Sequence, residues 1–296
     1  MQLDRTRIAI RERGVLDTLD LSLHVLRAYA LPLLVTTAIG TIPLMALNHV
    51  LLGWMTETVD NELDYPFRFV WNMIVLVVIE APLASVFATA YLGDAVFLER
   101  PRLRKVVAEV TRMFPRIAWC QILVRGIGAA WLLYLSVDRF GDFDFFLEGF
   151  VLTLLLVYVI GIRAVRPFIN EIVLLERNPL VSRHKGAMTV GRRSAMLHGA
   201  GGGEPVLRWA ASAMIGIPLA LALYGTCLFL SGVFLNRWSQ GPVMVQFCLP
   251  LSLWLAAGYV TVFRFLSYLD ARIRQEGWEV ELCLRAEAAR ITGQAT

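Results

Sequence analysis

The sequence predicts an all-α protein whose helices cross a lipid bilayer several times. Three observations predict this class. Apolar blocks of about 20 residues recur along the chain, which is the length that spans the hydrocarbon core as a helix. Of all residues, 57% are hydrophobic and 18% are charged, whereas soluble domains carry about 25% charged residues. Lys and Arg also concentrate on alternate loops, as in multi-pass membrane proteins.

The apolar blocks predict six transmembrane helices within a single domain, residues 1–296. The predicted spans are 29–52, 69–97, 117–137, 146–169, 209–235 and 243–263, followed by a charged tail, 264–296. Inside hydrocarbon a helix satisfies all of its backbone groups internally, so these blocks should be helical. Barrel strands would alternate apolar and polar residues over about 10 positions, a pattern that these blocks lack.

The distribution of cations predicts the orientation. Basic residues are frequent before span one, after span two, after span four and after span six, while the opposite loops carry only Arg68, Arg139 and Arg237. The positive-inside rule therefore places both termini in the cytoplasm. The formal charge of +4 is attributed to loops that face anionic lipid headgroups. Because no dense Lys/Arg run is present, the lipid bilayer is an expected partner and nucleic acid is not.

Three segments that precede odd-numbered spans have the pattern of helices lying on the membrane surface. In residues 15–27 the apolar side chains recur at helical spacing, opposite Asp17, Asp20 and His24. Residues 104–114 and 180–197 repeat the pattern. The chain therefore reads as three helix pairs, each introduced by an amphipathic helix. Any six-span chain with short loops would give a similar period, so the sequence leaves the repeat open.

Both ends of the chain resemble one group of bacterial membrane proteins. The opening RGVLDTLDLSLHVLRAYALPLL and the stretch YLDARIRQEGWEVEL, Tyr268–Leu282, resemble the ends of the membrane domain attached to some bacterial glycerophosphodiester phosphodiesterases, and of related uncharacterised polytopic proteins. The resemblance implies a membrane module of the bacterial inner membrane. It does not imply phosphodiesterase activity, because the catalytic barrel needs about 250 residues and has no counterpart here.

The sequence offers no constellation for catalysis. The cysteines and histidines form no metal-ligand spacing, and no GxSxG motif is present. Asp17, Asp20 and His24 share a helical face, but they are fewer than the ligands that a metal site usually has. We therefore expect neither a metal nor another cofactor, and no enzymatic activity.

Two ionisable residues inside predicted spans are candidates for a polar site. Glu80 lies near the middle of span two and Arg125 within span three, and charges at that depth are costly unless they are paired. One hypothesis is that they pair between helices and line a polar pathway or a headgroup cavity. The alternatives are a purely structural pair, or an Arg125 side chain that snorkels to the interface.

The tail is a candidate for docking a partner. The helix of span six should continue to Arg274, with Asp270 and Arg274 at i, i+4. Together with Arg272 and Trp278 these residues form the candidate docking segment, although simple solvation explains them equally well. The sequence thus favours a non-catalytic membrane scaffold or envelope-associated component that acts with membrane or cytoplasmic proteins. The alternative is a transporter or lipid-handling permease.

Overall fold

The computed structural model describes residues 13–57, 66–97, 101–124, 127–136, 145–180, 188–199, 203–238 and 240–276, in which every regular element is a helix. Five helical stretches are long and apolar enough to cross a membrane: Ala30–Leu52, Phe67–Val96, Phe146–Val165, Glu204–Leu235 and Met244–Glu276. The predicted all-α class with several membrane-length helices is therefore confirmed.

Twelve α-helices make up the described residues. They are α1 (Val15–Ala28), α2 (Ala30–Leu52), α3 (Trp54–Glu57), α4 (Phe67–Ala84), α5 (Val86–Phe97), α6 (Leu103–Trp119), α7 (Ile127–Ser136), α8 (Phe145–Val165), α9 (Ile169–Leu174), α10 (Val190–Gly199), α11 (Glu204–Leu235) and α12 (Leu249–Glu276). The described residues also include two π-helical segments. Cys120–Val124 directly follows α6, and Met244–Cys248 directly precedes α12.

The predicted span 117–137 is not among the five membrane-length stretches. The π-helical segment Cys120–Val124 follows α6 directly, and α7 has only ten residues. Residues 125–126, between them, lie outside the described residues. Among the described residues, this predicted span comprises the end of α6, the π-helical segment and α7.

Prolines explain where two predicted spans are divided or shortened. Pro82 has no backbone N–H, and α4 ends two residues later, where the Ser85 hydroxyl donates to the Pro82 carbonyl at 3.1 Å. Pro167 disfavours helical backbone at the residue before it, and α8 accordingly ends at Val165. Helix α8 thus ends four residues before the predicted end of span four at residue 169.

Helix α12 extends well past the predicted end of span six. It runs to Glu276, so the predicted helical continuation through Arg274 is confirmed. Helix α11 packs along α12 and begins at Glu204, five residues before the predicted start of span five. Both helices therefore carry charged residues beyond their apolar parts, at the same end of the bundle.

Close packing joins α2 to the junction of α4 and α5. A Cβ added to Gly40 would lie 2.0 Å from the Ala84 carbonyl oxygen, so only glycine permits this approach. The buried apolar side chains form two clusters. One unites α1, α2, α5, α6, α9, α10 and α12, and the other unites α2, α3, α4, α7, α8 and α12.

We call the end of the bundle at which α2, α6 and α11 begin, and α5, α8 and α12 end, the basic end. Tyr29 and Tyr91 meet there edge to face, with ring centroids 6.3 Å apart. At the opposite end Arg68 Nη2 lies 3.1 Å from Glu148 Oε2. Two of the helices predicted on the basic side are present as α1 and α6. The third begins only at Val190, and residues 181–187 lie outside the described residues.

Candidate functional site at the basic end

Five residues at the basic end form a set of ion pairs and hydrogen bonds that we call the Asp270 network: Arg13, Glu204, Arg208, Asp270 and Arg274. The Arg13 backbone N–H donates to Asp270 Oδ1 at 2.7 Å, and Arg208 pairs with Asp270 Oδ2. Arg274 Nε lies 3.0 Å from the same oxygen. Glu204 Oε1 lies 2.9 Å from Arg208 Nη2 and 3.3 Å from Arg274 Nη1. The network joins the start of the described chain to α11 and α12.

The centre of this network is withdrawn from solvent. The side chains of Arg208 and Asp270 are 4% and 2% exposed, whereas Glu204 and Arg274 are 35% and 33% exposed. Among the described residues, Arg208 Nη1 is buried and has no hydrogen-bond acceptor. A buried charge is tolerated only when it is paired, so Asp270 is required where it stands.

A second set of ion pairs and hydrogen bonds, which we call the Glu176 network, consists of Glu176, Arg193, Tyr268, Arg272 and Glu276. Arg193 meets Glu176 with two nitrogens, Nε at 2.6 Å from Oε2 and Nη2 at 2.8 Å from Oε1, and it also pairs with Glu276. The Tyr268 hydroxyl donates to Glu176 at 2.7 Å. Burial works against the charge of Arg193, but the two carboxylates outweigh it and raise the pKa of the guanidinium above its ordinary value.

The spacing of residues on α12 separates the two networks. Asp270 and Arg274 are one helical turn apart and face the start of α11. Arg272 and Glu276 are also one turn apart and lie 2.8 Å from each other, on the side that faces Glu176. Because residues at i and i+4 share a helix face, the last turns of α12 present one charged stripe to each neighbour.

A cavity of about 610 Å³ opens between α10, α11 and α12. Its walls combine the charged residues of the Asp270 network with apolar side chains. The lining residues are Phe168, Ala195, Met196, Leu197, Glu204, Pro205, Arg208, Asp270, Ala271, Arg274 and Gln275. A volume of this size suits a small ligand or a headgroup.

A third polar cluster lies deeper in the bundle. Arg264 Nε is 2.8 Å from Glu171 Oε1, and its Nη2 donates to the hydroxyls of Ser85 at 3.1 Å and Thr89 at 3.2 Å. The adjacent Asn170 amide donates to the Pro82 carbonyl at 2.7 Å. This carbonyl is available as an acceptor because α4 ends two residues later. The helix break thus supplies part of the polar lining around the Glu171–Arg264 pair.

Glu80 is fully buried, and its carboxylate accepts a hydrogen bond from the Asn48 amide at 2.9 Å. Arg163 comes near this place through its Nη2, which donates to the Ile79 carbonyl at 3.0 Å. Arg125 lies outside the described residues. The Glu80–Arg125 pair therefore stays a prediction, and the observed partner of Glu80 is a neutral amide that sequence reasoning missed.

The structure divides the predicted docking residues between the two networks. Asp270 and Arg274 share one network, Arg272 belongs to the other, and Trp278 lies outside the described residues. Sequence reasoning missed the partners of these residues on other helices: Arg13, Glu176, Arg193, Glu204 and Arg208. Only one signal pointed to them, the i, i+4 spacing of Glu204 and Arg208 at the start of an apolar block.

Within the described residues, no three His, Cys, Asp or Glu side chains converge to hold a metal ion. Comparison of the chain with protein-family models, with curated proteins and with solved structures gives no match. Function is therefore inferred from the geometry of the basic end and of the polar clusters.

Proposed function

We propose that this protein is a non-catalytic scaffold or envelope-associated component of the bacterial inner membrane, which binds partner proteins at its basic end. The observation that carries the proposal is the pair of ion-pair networks. The Arg13 backbone N–H, which donates to Asp270, ties residue 13 to α12. Buried Arg–carboxylate contacts tie α10 and α11 to the same helix, through Arg193–Glu276 and Arg208–Asp270. Such contacts fix relative positions because an Arg and a carboxylate meet in a narrow range of geometries. A preorganised surface of this kind favours partner binding.

The proposed topology has six crossings with the basic end in the cytoplasm. Support for the sixth crossing comes from the region of α6 and α7. Helix α6 begins at the basic end, where Glu109 pairs with Arg177 at 3.2 Å. Tyr134, in α7, donates to Asn72 at 2.8 Å, beside the Arg68–Glu148 pair of the opposite end. An even number of crossings and the positive-inside rule then put both termini in the cytoplasm.

The surface around the networks suits an acidic partner. Arg102, just before α6, and Arg104, Lys105 and Arg112 on α6 are exposed, and basic patches attract acidic surfaces and anionic headgroups. Glu276, the last described residue of α12, belongs to the Glu176 network. The candidate docking tail therefore begins at the same surface, and one partner can contact both.

Site-specific photo-crosslinking in the native membrane tests this proposal. A photoreactive amino acid is placed at Ala108, an exposed position on α6, and as a control at Trp238, an exposed position at the opposite end. The proposal expects a defined protein adduct, identified by mass spectrometry, from position 108 and not from position 238. Equal adducts from both positions, or none from position 108, would contradict it.

Two truncations then separate the tail from the networks. A chain that ends at Glu276 keeps both networks, whereas a chain that ends at Ala271 loses Arg272, Arg274 and Glu276. Loss of the adduct in the longer chain assigns docking to residues 277–296. Loss in the shorter chain alone assigns it to the surface that the two networks support, because this chain lacks Arg274 of the Asp270 network and Arg272 and Glu276 of the Glu176 network. Retention of the adduct in both chains would exclude this region as the docking site.

The alternative function, a transporter or lipid-handling permease, is favoured by a specific observation. The Glu171–Arg264 pair and the buried Glu80 place charged groups inside the bundle, with Glu80 and Arg264 on membrane-length stretches, where such groups mark functional sites. The protein reconstituted alone in liposomes would then move a solute or a lipid, and Glu80→Gln and Arg125→Leu would each abolish that movement. Movement that both variants leave unchanged would remove the support of these residues.

A further inference from the structure

The charges that line the cavity between α10, α11 and α12 balance one another. Two guanidinium groups, Arg208 and Arg274, and two carboxylates, Glu204 and Asp270, face it, and much of the remaining wall is apolar. A simple anion that enters meets two carboxylates, and a simple cation meets two guanidinium groups. A ligand that carries both signs finds an opposite charge for each of its ends.

The groups in this wall differ in their remaining capacity for hydrogen bonds. Asp270 already accepts from the Arg13 backbone, Arg208 and Arg274. Arg208 Nη1 has no acceptor among the described residues, and Arg274 and Glu204 are each about one-third exposed. Guanidinium groups bind phosphate oxygens through paired N–H donors, and an ammonium group offers three donors to a carboxylate.

The cavity lies at the depth expected of lipid headgroups. Glu204 and Arg208 belong to the first turns of α11, and the membrane-length stretch continues directly from them. Trp209 follows Arg208, and tryptophan is enriched where a helix enters the interface. The neighbouring Leu207 is an exposed apolar side chain. A lipid at this level can place its headgroup in the cavity and keep its acyl chains in the bilayer.

We propose that this cavity binds a phosphoethanolamine group. The phosphate contacts Arg274, next to the buried charge of Arg208, and the ammonium contacts Glu204. The source is the headgroup of a phosphatidylethanolamine in the surrounding leaflet or a soluble phosphoethanolamine, and the two sources share this chemistry. The site goes beyond the proposed partner binding and does not rest on it.

Lipid competition on the purified full-length protein tests the proposal. The protein in uncharged detergent receives an equimolar mixture of phosphatidylethanolamine, phosphatidylcholine and phosphatidylglycerol with identical acyl chains, and native mass spectrometry counts the bound lipids. Phosphatidylethanolamine should be preferred by about tenfold over both others, the ratio that one charge-assisted hydrogen bond supplies. The quaternary ammonium of phosphatidylcholine cannot donate a hydrogen bond, and phosphatidylglycerol carries no cation.

Variants assign the two ends of the ligand. Glu204→Gln should abolish the preference for phosphatidylethanolamine over phosphatidylglycerol, while Glu204→Asp, which keeps the charge, should retain it. Arg274→Gln should weaken the binding of all three phosphate-bearing lipids. The matched controls, Asp17→Asn and Arg104→Gln, remove exposed charges that do not line the cavity, and both should bind as the native protein does. Thermal unfolding without lipid checks that each variant is folded.

Several outcomes would overturn the proposal: equal binding of the three lipids, an undiminished preference in Glu204→Gln, or the same loss in the control variants. Titration with O-phosphoethanolamine distinguishes the two sources. If this soluble compound binds as tightly as the lipid and with the same response to the variants, the chemistry stands and the ligand is soluble. If only the lipid binds, the source is the membrane.

Discussion

Replacing Asp270 with asparagine removes one charge from the centre of the Asp270 network and leaves the shape of the side chain nearly unchanged. Within the part of the chain that the structure describes, Arg208, 4% exposed, then keeps only Glu204 as a counter-charge, at 2.9 Å. Breaking a buried ion pair on one side costs about 3–5 kcal/mol. Because Glu204 remains, and because the new amide oxygen still accepts the Arg13 N–H, we expect a loss near the lower limit, about 3 kcal/mol.

A double variant at Arg208 and Asp270 separates the cost of an unpaired charge from the cost of losing the other contacts. Arg208→Met combined with Asp270→Asn removes both charges, so no uncompensated guanidinium stays buried. The losses in free energy of unfolding that the two single substitutions cause should therefore not add. The double variant should lose less than the sum of the two single losses, by at least about 1 kcal/mol. Its residual loss reflects the contacts of Arg208 with Glu204 and with the Arg13 carbonyl.

The assay is reversible unfolding of the purified protein in mixed micelles of rising denaturing-detergent content, followed by circular dichroism. Asp17→Asn, which removes an exposed carboxylate on α1, should change the free energy of unfolding by no more than about 0.5 kcal/mol. The reasoning fails if Asp270→Asn costs less than about 1 kcal/mol, or if the double variant loses the full sum of the two single ones.

The close packing at Gly40 and the buried Glu171–Arg264 pair each predict the effect of a substitution on stability. Gly40→Ala should destabilise the protein by about 1–3 kcal/mol, because the added Cβ would lie 2.0 Å from the Ala84 carbonyl oxygen. The control is Gly161→Ala, where an added Cβ would have nothing within 4 Å. This control should be neutral or stabilising in the same unfolding assay. Arg264→Leu should lower the free energy of unfolding by about 3–5 kcal/mol, because it leaves the fully buried Glu171 without the guanidinium that it pairs with. If adding Glu171→Gln to this variant recovers none of the lost stability, the pair is not the cause of the loss.

Local patterns explain which features could be predicted from the sequence. The helical geometry that sets i, i+4 neighbours is the same in every helix, so the extension of α12 and the pairing of Asp270 with Arg274 were predictable. The apolar blocks likewise predicted the membrane-length helices, because length and composition alone decide that property. Proline positions could also have indicated the end of α8 before Pro167.

Contacts between helices were not predictable in the same way. Arg208 and Asp270 are 62 residues apart, and Glu171 and Arg264 are 93 residues apart. Pairing across such distances depends on which helices are neighbours. In membrane-length helices apolar residues face lipid as well as protein, so the hydrophobic pattern does not identify the packed face. The role of Arg13 was hidden for another reason, because its backbone forms the contacts and backbone groups are the same at every position.

The Arg13 contacts also have a mechanical consequence. The N–H of residue 13 donates to Asp270 at 2.7 Å, and its carbonyl accepts from Arg274 at 2.6 Å and from Arg208 at 3.2 Å. The described chain is thereby closed into a loop that starts and finishes beside α12. A force applied between residues 13 and 276 would load these few bonds and the last turns of α12 first, and would leave the other membrane-length helices unloaded until the bonds rupture.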